Sequence, residues 1–176
     1  MSEYRKTYEG GLCFLTFSVV GWLDVFTRSE YSDILTKNLN YSTQHKSLQL
    51  FAYVIMPSHM HLVARRTEGK MSDWLRDYKS FCAKEIISAI QDNPQESRKE
   101  TLLYMFRYFA KVQKQNKEFM FWQKTSYPVD VTSATILKQK VEYIHQNPVR
   151  AGYVDEPQHW RYSSAYPLQE VKLAEI

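Results

Sequence analysis

The sequence predicts an α+β fold, an antiparallel sheet with helices packed mainly on one face. Three observations predict it. Apolar, β-branched and aromatic segments at Leu12–Trp22, Ser47–Met56 and His59–Arg65 read as strands, and the last two are parted only by Pro57-Ser58, as in a hairpin. Segments with apolar residues at i, i+3 and i+4 are interleaved with them and read as helices. The chain has no internal repeat, low-complexity tract or linker, so its 176 residues form one domain, 1–176, around one core. Strands with helices on one face make an α+β sandwich, and the strand–helix–strand opening resembles half of a ferredoxin-like sheet.

Gly10-Gly11 precede the first strand. Ser29 to Lys46 carries Tyr31, Ile34, Leu35, Leu39 and Tyr41 near helical spacing, with Ser29 as N-cap. Glu68-Gly69-Lys70 marks the exit from the hairpin. Ser72 then caps a helix whose apolar face is Trp74, Leu75, Tyr78, Phe81, Cys82 and Ile86, and which stops before Asp92-Asn93-Pro94. A basic amphipathic helix follows from Glu96 to Asn116, its buried face Leu102, Leu103, Phe106, Phe109 and Ala110. FMFWQK at 119–124 is a short apolar piece, and Tyr127–Val131 an extended one broken by Pro128. Thr132 or Ser133 caps the last helix, Ala134–Asn147, which Pro148 ends, with Gly152 in the turn beyond.

The composition is that of a globular domain: 44% hydrophobic, 24% charged, and rich in aromatics at 15%. A net charge of +4 permits a polyanionic partner without requiring one. Cys13 and Cys82 have no spacing that suggests a disulfide framework or zinc cluster. The polar start MSEYRKTYEGG and the short apolar run at Leu12–Val20 give no signal peptide or bilayer span, and the expected setting is a reducing cytoplasm without membrane contact.

His59 and His61 stand two apart on a strand, so both imidazoles face one side and Met60 and Leu62 the other. Neutral imidazole is the commonest protein metal ligand, and two on one rigid strand begin a divalent site. Taken alone, the pair reads more often as two ordinary hydrogen-bonded histidines than as metal ligands. Tyr143 and Asn147, four apart, share a face of the last helix. Taken alone, Tyr143 is more often a core or groove aromatic than a nucleophile.

In combination the motifs say more. MPSHMHLV, then YIHQNPVRAGYV, then HWRYSSA, resemble the REP-associated tyrosine transposases, a branch of the HUH (histidine, hydrophobic residue, histidine) single-tyrosine transposase superfamily, and the opening YRKTYEGGLCFLTF resembles that family's first strand. The resemblance implies a metal-dependent DNA transposase that cleaves and rejoins single-stranded or hairpin DNA through a 5′-phosphotyrosine. It implies His59 and His61 as metal ligands, Asn147 as the third, oxygen-donor ligand with Gln146 a weaker choice, and Tyr143 as nucleophile. Mixed nitrogen and oxygen ligation suits Mg²⁺ or Mn²⁺ better than a closed zinc site. Glu142 reads as a solvated carboxylate and His145 as structural or a DNA contact.

Single-stranded DNA calls for basic and aromatic side chains together. Arg5, Lys6, Arg65, Arg66, Arg150 and Arg161 are the expected contacts, with Trp160 and Tyr162 either stacking on DNA or packing the tail. The assembly implied is a monomer or homodimer. Two departures stand out: 93–117 reads as a helical insertion, and FWQKTSYPVDV keeps only the family's Trp-Gln. They leave open a catalytically inactive nucleic-acid-binding module of the same fold. A rolling-circle initiator or relaxase shares the histidine pair, but those chains are generally larger.

Overall fold

The computed structural model describes residues 10–114, 118–126 and 128–175. Strands β1 (Cys13–Ser18), β2 (Leu48–Met56), β3 (His59–Arg66) and β4 (Val129–Asp130) form one sheet in the order β2-β3-β1-β4, and every neighbouring pair is antiparallel. The helices are α1 (Ser29–His45), α2 (Met71–Asp92), α3 (Lys99–Val112) and α4 (Ala134–Arg150). This is the expected α+β arrangement, with one more specific feature: the helices divide between the two faces.

Strand alternation causes the division. Cys13, Leu15 and Phe17 of β1 and Met60, Leu62 and Ala64 of β3 point to one face, where they pack with the buried sides of α1, α2 and α3. Phe14, Val63, Val54 and Met56 point to the other and meet Ile144, Leu137 and Val141 of α4. The odd-numbered β3 residues, His59 and His61 among them, therefore lie on the α4 face.

Several boundaries differ from the sequence reading. The first strand stops at Ser18, and the chain folds into short 3₁₀ turns at Val20–Trp22 and Val25–Thr27. Neither Ser29 nor Ser72 is a cap: Ser29 opens α1, Ser72 is the second residue of α2, and neither helix has a side-chain cap bond at its start. In α2 the fully buried stripe is Trp74, Tyr78, Cys82, Ile86 and Ile90, at strict i+4 spacing, so Phe81 falls beside it and is 54% exposed. Helix α3 is shorter than expected. Its lead-in is tied down by Glu96, which is buried between Arg28 (2.9 Å) and Arg98 (3.0 Å).

Helix α4 behaves as expected at its start, where the Ser133 hydroxyl accepts from the Ile136 amide. At its end Pro148 does not stop it. The helix runs on to Arg150, because a proline there forfeits one amide bond without breaking the turns after it. Termination falls to Gly152, at φ +74°. The Tyr153 amide donates to the Pro148 carbonyl (3.0 Å) and the Gly152 amide to Val149 (2.9 Å), the paired closing bonds of a Schellman motif.

The tail closes the outer edge of β2. The Ile55 amide donates to Tyr162 (2.8 Å), the Ser164 amide to Tyr53 (2.9 Å) and the Ala174 amide to Leu50 (2.7 Å). Phe121–Gln123 lies beside the end of β1, with the Val20 amide donating to Phe121 and the Gln123 amide to Ser18.

Candidate active site

The site is built from one strand on each side and one helix above. In the β1–β3 register Thr16 stands opposite His61 and Ser18 opposite His59. The Thr16 hydroxyl lies 2.8 Å from His61 Nδ1, and the Ser58 hydroxyl 3.2 Å from His59 Nδ1. In the tautomer with the proton on Nδ1, each ring donates to its hydroxyl and each Nε2 keeps a lone pair, which is how a neighbouring group orients a metal-binding imidazole.

Burial disfavours the charged form of both rings, and the neutral form is the one that can ligate. Burial lowers the His59 pKa against the opposing charge of Asp24. Burial, reinforced by His59 and the Lys140 cation, lowers that of His61 to about 3. Among the described residues no group of three His, Cys, Asp or Glu side chains could hold a metal. A third protein donor to a cation at this pair would have to be an amide or hydroxyl, and two imidazoles plus one amide oxygen leave positions for outside oxygens. The residues present fit an open divalent site.

Helix α4 brings Tyr143 to this pair. Its ring is edge-on to His61, centroids 5.4 Å apart, and Phe14 sits against both, stacked on His61 at 5.3 Å and edge-on to Tyr143 at 5.8 Å. The His59 and His61 centroids are 4.9 Å apart, and on the far side of His59 the Trp22 indole stands edge-on at 5.5 Å. Four rings thus run in the order Tyr143, His61, His59, Trp22.

Lys140, Tyr143, Asn147 and Arg150 fall at i, i+3, i+7 and i+10 of α4, one helical face. The Lys140 ammonium is 4.7 Å from the Phe14 ring centroid and the Arg150 guanidinium 5.7 Å from that of Tyr143. Gln139, Lys140, Glu142, Tyr143 and Arg150 line a shallow depression of about 400 Å³. Glu142, on the rim of that depression, is exposed. His145 is on another side of the helix, its Nε2 2.9 Å from the Ser164 hydroxyl, which also bonds the Tyr53 backbone; it locks the tail to the sheet.

The arginines separate by position. Arg150 touches Tyr143. Arg65 lies on the His61 face of β3, exposed, bonded to Gln49 (2.5 Å) and over the Phe51 ring. Arg66 turns to the other face and donates to the Lys70 carbonyl at 2.9 Å, bracing the turn after the hairpin. Arg161 is exposed and leans on Tyr162. Arg5 and Lys6 lie outside the described residues. Trp160 donates to the Ile55 carbonyl (2.9 Å) and Tyr162 to Asp33 (2.8 Å), so these two aromatics pack the tail.

Sequence reasoning missed Thr16, Phe14, Lys140 and Trp22. Lys140 carried a signal, three residues before Tyr143. Thr16 and Phe14 carried none until the β1–β3 register was known.

No protein-family model matches the chain. It is 27% identical over 168 residues, 93% of this chain and 85% of the relative, to a Haemophilus influenzae protein named "Putative REP-associated tyrosine transposase". It is 22% identical over 165 residues to the REP-associated tyrosine transposase of Escherichia coli, covering 93% of this chain and 82% of the relative. A solved structure of a REP-associated tyrosine transposase bound to a REP hairpin superposes with a TM-score of 0.63 at 21% identity, over 100% of this chain and 93% of that one, and shares the fold.

Proposed function

We propose, with this similarity to the REP-associated tyrosine transposases as premise, that the chain is a DNA strand transferase acting on single-stranded or hairpin DNA. The observation that carries the proposal is the 5.4 Å approach of the Tyr143 ring to a pair of neutral, hydroxyl-tethered imidazoles. Phenol and imidazoles come from different elements, α4 and β3, that the fold packs together.

In this reading Tyr143 is the nucleophile. Its oxygen loses a proton and its electron pair forms a bond to the scissile phosphorus. The phosphorus–O3′ bond breaks, its electrons leave on O3′, and O3′ takes up a proton. The products are a 5′-phosphotyrosine and a free 3′-hydroxyl, and the reverse attack by another 3′-hydroxyl rejoins the strand. Lys140 and Arg150 flank Tyr143 along α4 and would favour the negative charge that develops on the phosphate. His59 and His61, with Asn147 as oxygen donor, would hold Mg²⁺ or Mn²⁺, which when bound supplies Lewis-acid polarisation of the phosphate.

Incubation with Mn²⁺ and a hairpin oligonucleotide from repeats flanking the gene should give a covalent protein–DNA adduct on a denaturing gel, absent from Tyr143→Phe. An adduct that persists in Tyr143→Phe rejects the assignment. The second reading, a binding module without turnover, draws on the two departures from the family pattern, the stretch 93–117 and FWQKTSYPVDV. Hairpin binding indifferent to chelators, with no adduct from any hairpin tested, would favour it.

A further inference from the structure

The stretch after β1 contains an exposed aromatic that nothing in the core explains. Trp22 is 58% exposed, although tryptophan is a residue folding tends to bury. Its backbone is left-handed, at φ +54°, a conformation that bulky L-residues avoid. Gly21 before it is also left-handed, at φ +63°, and packs so closely on Phe109 of α3 that a Cβ there would meet the ring at 2.7 Å. The Trp22 amide donates to Val19 (3.1 Å) and the Leu23 amide to Val20 (3.4 Å). The turn is therefore fixed at both ends and presents its indole outward beside His59. Strain of this kind persists only where the surroundings over-determine it, and it concentrates at binding sites.

Its position relative to the phenol gives the direction of the strand. In a phosphoryl displacement the attacking and leaving oxygens lie on opposite sides of phosphorus. Tyr143 borders the imidazole pair on the His61 side and Trp22 on the His59 side. A phosphate attacked by Tyr143 over that pair sends its leaving O3′, and the nucleotide that carries it, toward Trp22. Indole faces are sequence-tolerant platforms for unpaired bases.

We propose that Trp22 stacks on the base of the nucleotide immediately 5′ of the cleaved link and so holds the strand that is released with a 3′-hydroxyl. The assignment rests on the proposed strand-transfer function. Helix α3 enters it too, as the element that props the Gly21–Trp22 turn through Phe109.

The test first maps the cleaved link with Mn²⁺ and the flanking-repeat hairpin. Affinity is then measured in the Tyr143→Phe background, where no chemistry occurs, with hairpins bearing an abasic residue on either side of that link. The intact hairpin should bind about tenfold more weakly to Trp22→Ala, with Trp22→Phe between the two. An abasic residue on the 5′ side should weaken Trp22-containing protein to the same extent and add nothing to Trp22→Ala. One on the 3′ side should leave the effect of Trp22→Ala intact. Indole fluorescence should be quenched on binding, and Trp22→Phe should lose that quenching. Equal effects of Trp22→Ala on both abasic hairpins, or weakened Mn²⁺ binding without DNA as the sole defect, would make Trp22 only a brace for His59 and overturn the assignment while strand transfer stands. Absence of an adduct with every hairpin tested removes the cleaved link, and both readings fall together.

Discussion

The Tyr143 ring meets the His61 imidazole edge-on, at 68° and 5.4 Å between centroids, although the two residues belong to the last helix and the third strand. The relationship follows from alternation and register together. Odd positions of β3 face α4, Ile144 anchors α4 to that same face, and the residue before Ile144 is carried to the imidazoles. The edge-on contact between Phe14 and Tyr143 depends on the same docking.

Tyr143→Phe tests chemistry without disturbing it. The ring contacts to His61, Phe14 and Arg150 need no hydroxyl. The substitution should change stability by less than about 0.5 kcal/mol in urea denaturation, as surface-type changes do, while abolishing the DNA adduct. A large loss of stability would mean that the phenol hydroxyl has a structural partner.

Thr16→Val removes the hydroxyl at His61 Nδ1 but keeps the shape of the side chain. His61 loses its orienting bond, so Mn²⁺ affinity by calorimetric titration should fall about ten- to hundredfold. Affinity equal to wild type would show that packing against Phe14 orients the ring by itself.

Lys140→Gln and Arg150→Gln each remove one cation beside the phenol. Each should weaken hairpin binding and lower the slope of log affinity against log salt by about 1. A slope unchanged in both variants would place the phosphates elsewhere.

Acid sensitivity should report on Glu96. Burial raises its pKa, but hydrogen bonds from Arg98 and the charges of Arg98 and Arg28 outweigh that and lower it to about 2. A carboxylate depressed in the folded state stabilises above its unfolded pKa of about 4.5, and the contribution is lost as pH falls from there to about 2. Urea midpoints across this window should show a decline of about 2–3 kcal/mol that is missing in Glu96→Gln, itself less stable at pH 7. Matching profiles for the two proteins would remove Glu96 from the acid response.

Gly152→Ala tests the end of α4. A Cβ there meets nothing, so its only cost is the left-handed backbone, about 1 kcal/mol by thermal or urea unfolding. A much larger loss would show that the Schellman turn also sets the seating of the helix.

Much of this was legible in the sequence, and the rest was hidden for physical reasons. Strand alternation put His59 and His61 on one face, and helical spacing did the same for Tyr143 and Asn147, because both periods are local geometry. The hairpin at Pro57-Ser58 was equally local. Phe81 misled because apolar character says nothing about which edge of a stripe touches a neighbour. Pro148 misled because a proline's effect depends on whether the turns after it are closed elsewhere, here by Gly152. Thr16 and Phe14 could be assigned only from the pairing between β1 and β3, a contact across the chain. Trp22 looked like the end of a strand, and its conformation depends on Phe109, far away in sequence.

The tail laid along β2 has a consequence for assembly. An open strand border is a ready template for another copy of the same chain, and this one is already occupied by Tyr162, Tyr53's partner Ser164, and Ala174. Two molecules cannot fuse their sheets through β2 while those bonds hold. Cutting the chain before Trp160 would bare the border and invite that fusion, visible as a concentration-dependent rise in mass by light scattering.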